Sequence, residues 1–105
     1  MDGIHFEVIS KLGKRILVTI SRWDLIAKTK HPEISGKEGE IRETLHNPDE
    51  IRLSKSDATV YLYYKYYSGL SLSVVVKHKN GEGFMVTAYY TDRIKEGKRA
   101  YQRQP

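Results

Sequence analysis

Side chains that could bind phosphate recur at alternate positions of the strand-like segments in the second half of the chain. Successive side chains of a strand point to opposite faces, so residues two apart share a face. One of the two sets holds tyrosines, cations and hydroxyls but no acid within the strands: Arg52, Ser54, Tyr61, Tyr63, Lys65, Val75, Lys77, Thr87, Tyr89 and Thr91. Cations and hydroxyls bind phosphate oxygens, and aromatic rings stack on bases. The pattern indicates one polar sheet face that could hold a nucleic acid.

The opposite set is apolar and is predicted to face the core: Ile51, Leu53, Val60, Leu62, Tyr64, Val74, Val76, Phe84, Val86 and Ala88. The strands that carry both sets are predicted at Glu50–Ser54, Thr59–Tyr67, Ser71–His78 and Phe84–Thr91. Ser68-Gly69 and Asn80-Gly81 suit the tight turns of two hairpins. Because one face of an antiparallel sheet is often left in water, the polar set is expected to be open to solvent.

The first half of the chain must cover the apolar face. Two short strands are predicted at Ile4–Ser10 and Arg15–Ile20, then a helix from Arg22 that ends at His31 because Pro32 disfavours helical backbone before it. A second helix is predicted over Gly36–His46. The predicted fold class is therefore α+β, with an N-terminal β-hairpin and two helices packed on a four-stranded antiparallel sheet.

Length and composition limit the possible functions. The 105 residues fit one domain, predicted at 1–92 and followed by a basic tail at 93–105 that carries most of the net charge of +5. The chain has no cysteine, which excludes disulfides and thiolate metal sites. Neither a metal-binding HExxH motif nor a glycine-rich phosphate loop is present, so no metal or cofactor is expected. No leader or long apolar run is found, which predicts a cytoplasmic protein without a membrane partner.

Several segments occur in an order that resembles a known group of enzymes. They are RW…IAKTKHPEI, ETLHNPDEIRLS, YLYYKYY, SVVVKH and FMVTAYYTDRIKEG, between about Arg22 and Gly97. In this order they resemble the phage-type barnase–EndoU–colicin–RelE-like (BECR) nucleases, small proteins of mobile elements and toxin systems. The resemblance implies a RelE-like fold and a toxin-like or phage-derived, metal-independent endoribonuclease. RNA is the implied partner, with a cognate antitoxin or immunity protein as a second candidate.

The resemblance also implies roles for single residues. Carried over to this chain, the catalytic histidine is His31, the strand cation is Lys77 and the last-strand hydroxyl is Thr87. Tyr89 and Thr91 stand beside it as substrate-binding candidates, to which the polar sheet face adds Tyr63, Lys65 and Arg52. The chemistry is self-consistent, because RNA supplies its own 2′-hydroxyl nucleophile. The enzyme then needs only a proton shuttle and a cation or hydroxyl on the phosphate.

Each of these residues also has a structural interpretation. His31 at the end of a helix could complement the helix dipole, and Lys77 could be an exposed strand lysine that discourages edge pairing. Most of the tyrosines could reflect strand propensity alone. The alternative to an enzyme is therefore a non-catalytic RNA- or protein-binding module of the same fold, and a purely structural phage protein is a third hypothesis.

Overall fold

Three long strands joined by tight turns form the centre of the sheet: β4 (Val60–Tyr67), β5 (Leu70–Lys79) and β6 (Glu82–Thr91). Between β4 and β5, Ser68 and Gly69 have φ angles of 48° and 98°, as a type I′ turn requires at both central residues. Asn80, with φ of 56°, begins the turn between β5 and β6. Both hairpin turns lie where the sequence predicts them.

Shorter strands extend this meander on both sides in the computed structural model, which describes residues 3–95 and 97–104. They are β1 (Ile4–Ile9), β2 (Arg15–Thr19), β3 (Glu50–Leu53) and β7 (Arg99–Gln102), and the sheet order is β1-β2-β6-β5-β4-β3-β7. β2 runs parallel to β6, and the other neighbours are antiparallel. A side chain at Gly83 would lie 2.8 Å from Ile16 Cδ1, so glycine permits the approach of β2.

The predicted four-stranded antiparallel sheet is wrong, since the described residues form a seven-stranded mixed sheet. The N-terminal hairpin does not pack separately but continues the sheet along the edge of β6. Residues 99–102, assigned above to the basic tail, pair with β3 as β7. The physical reason is the same at both sides: a bare edge leaves backbone N–H and C=O groups unpaired, and an added strand satisfies them.

One face of the sheet is covered by the helical segments. α1 (Ile20–Leu25) continues as a π-helical turn (Ile26–Lys30), and a 3₁₀ turn (Pro32–Ile34) leads to α2 (Glu38–His46). The helix ends at His31 before Pro32, as predicted. The buried core between the two layers includes Phe6, Ile16, Val18, Trp23, Ile26, Ile34, Ile41, Leu45, Ile51, Tyr63, Leu72, Val74, Val76, Met85 and Ala88. No helix within the described residues is long and apolar enough to span a bilayer.

The faces of β4 are the reverse of those predicted. Tyr63 is 0% exposed in the helix-covered core, and its hydroxyl donates to Ser10 Oγ at 2.9 Å and lies 3.1 Å from His78 Nε2. Leu62 and Tyr64 are on the other face. Burial raises the pKa of Tyr63 to about 12 and, with the charge of Lys14, lowers the pKa of His78 to about 4. This cluster is therefore uncharged at neutral pH, which suits its place in the core.

A β-bulge changes the faces of β6 midway. Val76 pairs with Met85 but Val75 pairs with Thr87, so Val86 is the extra residue. Phe84 and Val86, predicted to be core residues, are 40% and 36% exposed. Beyond the bulge, Ala88 enters the core while Thr87 and Tyr89 share the face opposite the helices, here called the open face.

Candidate functional site

A pocket of about 520 Å³ lies on the open face. Apolar side chains of β4 and β5 form its floor, and the wall is made by hydroxyls and cations from three other segments. The lining residues are Ser54, Lys55, Ser56, Val60, Leu62, Val75, Thr87, Tyr89 and Lys95. The pocket thus combines an apolar base, which could hold a ring, with a wall suited to an anion.

Two hydroxyl groups at this pocket lack protein partners. Thr87 Oγ1 and the Tyr89 hydroxyl each expose less than 1 Å² and make no hydrogen bond with any residue in the described ranges. A buried hydroxyl left without a partner costs about 1–3 kcal/mol, so such groups are rare and often functional. Both belong to residues that line the pocket.

Lys95 reaches the pocket from the loop between β6 and β7. Its backbone N–H donates to the Tyr64 hydroxyl at 3.2 Å, and its Nζ lies 5.9 Å from the centre of the Tyr89 ring. Burial raises the pKa of Tyr64, which keeps the accepting phenol neutral. The arrangement places a positive charge over the aromatic ring of Tyr89, in the pocket that Thr87 also lines.

Gly97 holds this loop against β3. Its carbonyl accepts a hydrogen bond from Arg52 Nη1 at 3.1 Å, and the next residue's carbonyl, that of Lys98, accepts from Leu53 N at 2.8 Å. A Cβ built at Gly97 would overlap the Leu53 carbonyl oxygen. Because that oxygen belongs to a paired strand and cannot move freely, only glycine allows the loop to lie this close.

We expect Gly97→Ala to displace the loop and to lower the free energy of unfolding by about 1–3 kcal/mol, the usual cost of overpacking. Chemical denaturation measures the loss, and the amide NMR signal of Lys95 should shift with it. Gly39→Ala is the matched control, since a Cβ at Gly39 meets nothing within 4 Å. Gly39 lies in α2, where alanine is favoured over glycine by up to about 1 kcal/mol. Equal stability of the two variants would contradict this role of Gly97.

His31 approaches the open face around the edge of β6. β2 pairs with β6 only through Glu82–Phe84, and the segment at Pro32–Ile34 also contacts β6. The His31 ring lies 5.6 Å from the Tyr89 ring, centre to centre, and its Nδ1 is 3.4 Å from Glu33 Oε2. With 34% of its side chain exposed, His31 remains accessible to solvent. Glu33 can orient the ring through Nδ1 and leave Nε2 for proton transfer.

Lys77 lies on the open face but lines a different pocket. It pairs with Phe84 across β5 and β6, and its Nζ is 4.0 Å from Asp57 Oδ2. Hydrogen bonds from Thr59 are the main cause that lowers the pKa of Asp57, with a smaller contribution from the charge of Lys77. The structure therefore brings Thr87 and Tyr89 together with His31 and Lys95, and places Lys77 farther along the sheet.

The other predicted substrate-binding residues are dispersed. Arg52 is on the open face, bound to the Glu50 carboxylate and to the Gly97 carbonyl. Thr91 accepts a hydrogen bond from Arg93 N at 3.0 Å in the turn after β6. Tyr63 and Lys65 are on the helix-covered face, which corrects their predicted placement. Lys65 Nζ donates to the Asn47 carbonyl there at 2.8 Å.

The sequence patterns miss three charged residues of this site: Lys55, Lys95 and Glu33. Lys95 lies beyond the last predicted strand. The alternation of side chains between two faces applies only within a strand, so it cannot predict which side of the sheet Lys95 is on. Glu33 follows His31 by two residues, a spacing that fits a histidine–carboxylate pair but is common by chance. The segments that carry the resemblance contain Glu33 and Lys95, but nothing in their order assigns either residue a role.

No three His, Cys, Asp or Glu side chains are grouped to hold a metal ion in the part of the chain that the structure describes. No protein-family model matches the chain, and neither a curated protein nor a solved structure is similar enough to match it.

Proposed function

We propose that this protein is a metal-independent endoribonuclease that binds single-stranded RNA on the open face and cleaves it at the Thr87–Tyr89 pocket. One observation carries the proposal: His31 packs against Tyr89, a residue with an unpartnered hydroxyl that lines the same pocket as Thr87 and Lys95. A proton shuttle, hydroxyl donors and a cation are thereby grouped at one place. These are the groups that RNA cleavage by its own 2′-hydroxyl requires.

The residues would divide the reaction as follows. An imidazole at His31, oriented by Glu33, takes the proton of the 2′-hydroxyl as its oxygen attacks phosphorus. Lys95 and the hydroxyls of Thr87 and Tyr89 stabilise the extra negative charge on the phosphate oxygens. The imidazolium of His31 then returns this proton to the 5′-oxygen as the P–O5′ bond breaks, and the products are a 2′,3′-cyclic phosphate and a 5′-hydroxyl. In this proposal Lys95 is the cation at the reacting phosphate, a role that the resemblance to BECR nucleases implied for Lys77.

The ordered resemblance to BECR nucleases supports this proposal independently of the geometry. It favours a toxin-like or phage-derived enzyme that acts on RNA in the cytoplasm, with an antitoxin or immunity protein as its inhibitor. One observation favours the second candidate, a non-catalytic RNA-binding module. His31 meets the pocket through the Tyr89 ring rather than as a lining residue.

Incubation of the full chain with single-stranded RNA in EDTA tests the proposal. We expect cleavage without added metal, and ³¹P NMR should show a 2′,3′-cyclic phosphate. The same sequence with 2′-O-methyl groups should bind but remain intact, because it lacks the nucleophile. Binding of both RNAs without cleavage of either would establish the non-catalytic module instead. Cleavage that needs a divalent metal, or that yields 5′-phosphates, would refute the mechanism.

A further inference from the structure

The open face has a second concave region that the proposed reaction does not use. It has a volume of about 290 Å³, lies beside the N-terminal half of β6 and is lined by Leu17, Thr19, Arg22, Lys77, Phe84, Met85 and Val86. Phe84 is 40% exposed and Val86 36% exposed. The region therefore presents exposed apolar side chains next to the cations Lys77 and Arg22.

The chemistry of this region fits one nucleotide. Phe84 presents an aromatic ring on which a base can stack, while Lys77 stands directly opposite it on β5 and Arg22 lines the same hollow. The only acid that contacts Lys77 within the described residues, Asp57, forms a pair that is about half exposed, with Nζ and Oδ2 4.0 Å apart. Exposed pairs of this kind are weak, so a phosphate can replace Asp57.

The region lies near the proposed catalytic pocket, on the same two central strands. Phe84 and Thr87 are on the same strand, and Lys77 follows Val75, a residue of the pocket floor, by two positions on β5. At roughly 3.3 Å per residue, the two regions are about 7–10 Å apart, a distance that a short single-stranded segment spans. Both open on the same side of the sheet, away from the helices.

We propose that Phe84, Lys77 and Arg22 form a second nucleotide subsite, which holds the RNA nucleotide next to the two nucleotides that share the scissile phosphate. Phe84 stacks on the base, and the two cations contact its phosphate. The inference rests on the proposed RNA-binding function but adds a prediction of its own: affinity must rise when the RNA is long enough to reach from one pocket to the other.

Binding of 2′-O-methyl oligouridylates of two and five nucleotides, measured by calorimetry, tests the subsite. We expect Phe84→Ala to weaken binding of the five-nucleotide probe by about 5- to 150-fold, the range for loss of one stacked base, and to leave the two-nucleotide probe unchanged. Phe84→Tyr keeps the ring and should bind normally. Lys77→Ala should reduce the salt dependence of five-nucleotide binding by about one phosphate contact.

Tyr66→Ala is the matched control, because Tyr66 is an exposed aromatic residue of β4 that lines neither pocket. It should bind both probes as the wild type does. The subsite is refuted if Phe84→Ala binds the longer probe normally, or if it weakens both probes equally. Self-association of the wild type that Phe84→Ala abolishes would also refute it, by assigning the patch to a second copy. Failure of the wild type to bind either probe would instead refute the proposed function itself.

Discussion

We expect His31→Ala to reduce kcat/KM for RNA cleavage by about 10²- to 10⁴-fold, the usual contribution of a positioned acid or base. The proton carrier is lost, whereas the hydroxyls of Thr87 and Tyr89 and the charge of Lys95 remain. Binding of 2′-O-methyl RNA should therefore change little. A loss in kcat with an unchanged dissociation constant would assign His31 to the chemical step rather than to substrate binding.

Two further variants make this result specific. His31→Gln keeps a polar side chain of similar length but cannot shuttle a proton, so it should be as inactive as His31→Ala. His46→Ala changes an exposed histidine at the end of α2, on the helix-covered side, and should cleave like the wild type. Full activity in His31→Ala would exclude His31 from the reaction, and loss of folding in either His31 variant would show in its circular dichroism.

Tyr63→Ala should lower the free energy of unfolding by about 3–5 kcal/mol, as is typical when a large buried side chain is truncated. Tyr63 is fully buried and its hydroxyl contacts Ser10 and His78, so the variant loses packing and removes one polar contact from each partner. Tyr66→Ala, on the same strand with 62% of the residue exposed, should change the stability by no more than about 0.5 kcal/mol. Urea denaturation measures both.

Comparison of the Tyr63 and Tyr66 variants tests which face of β4 packs against the helices. Tyr63→Phe keeps the ring and should cost only about 1 kcal/mol, since one buried hydroxyl is lost. This milder variant remains measurable if Tyr63→Ala does not fold. Equal effects of Tyr63→Ala and Tyr66→Ala would mean that Tyr63 is not in the core, and would return it to the RNA-binding face on which the sequence pattern placed it.

Local signals account for what could be predicted from the sequence. A Ser-Gly turn needs positive φ angles that few residues tolerate, and Pro32 ends a helix by steric conflict with the residue before it. Such constraints act between neighbours in the chain, so they can be recognised without knowledge of the fold. For the same reason, Thr87 and Tyr89 are expected to share a face because they are two positions apart in a strand, and the structure confirms this.

Alternation could not assign the faces of β4, because tyrosine occurs at both parities between Tyr61 and Tyr67. Tyrosine is apolar enough for a core and polar enough for a surface, and the core partners of Tyr63, Ser10 and His78, come from distant segments. The bulge at Val86 is equally hidden, since nothing in FMVTAYY marks which residue is unpaired.

Long-range pairing was also beyond the sequence patterns. β7 exists because β3 offers an unpaired edge, and RAYQ alone is too short to predict a strand. Lys95 reaches the pocket only because Gly97 lets the loop lie against Leu53. The pairing of β7 and the position of Lys95 both depend on contacts between segments about 45 residues apart, such as the hydrogen bond from Arg52 to the Gly97 carbonyl.

The most direct test is to map RNA binding on the ¹⁵N-labelled protein with a 2′-O-methyl tetranucleotide, which occupies the site without reacting. We expect the amide signals of Thr87, Tyr89 and Lys95 to shift on titration, together with that of His31, while signals on the helix-covered side around Glu43 and His46 stay in place. Shifts confined to the helix-covered side, or no shifts at millimolar RNA, would contradict an RNA site on the open face.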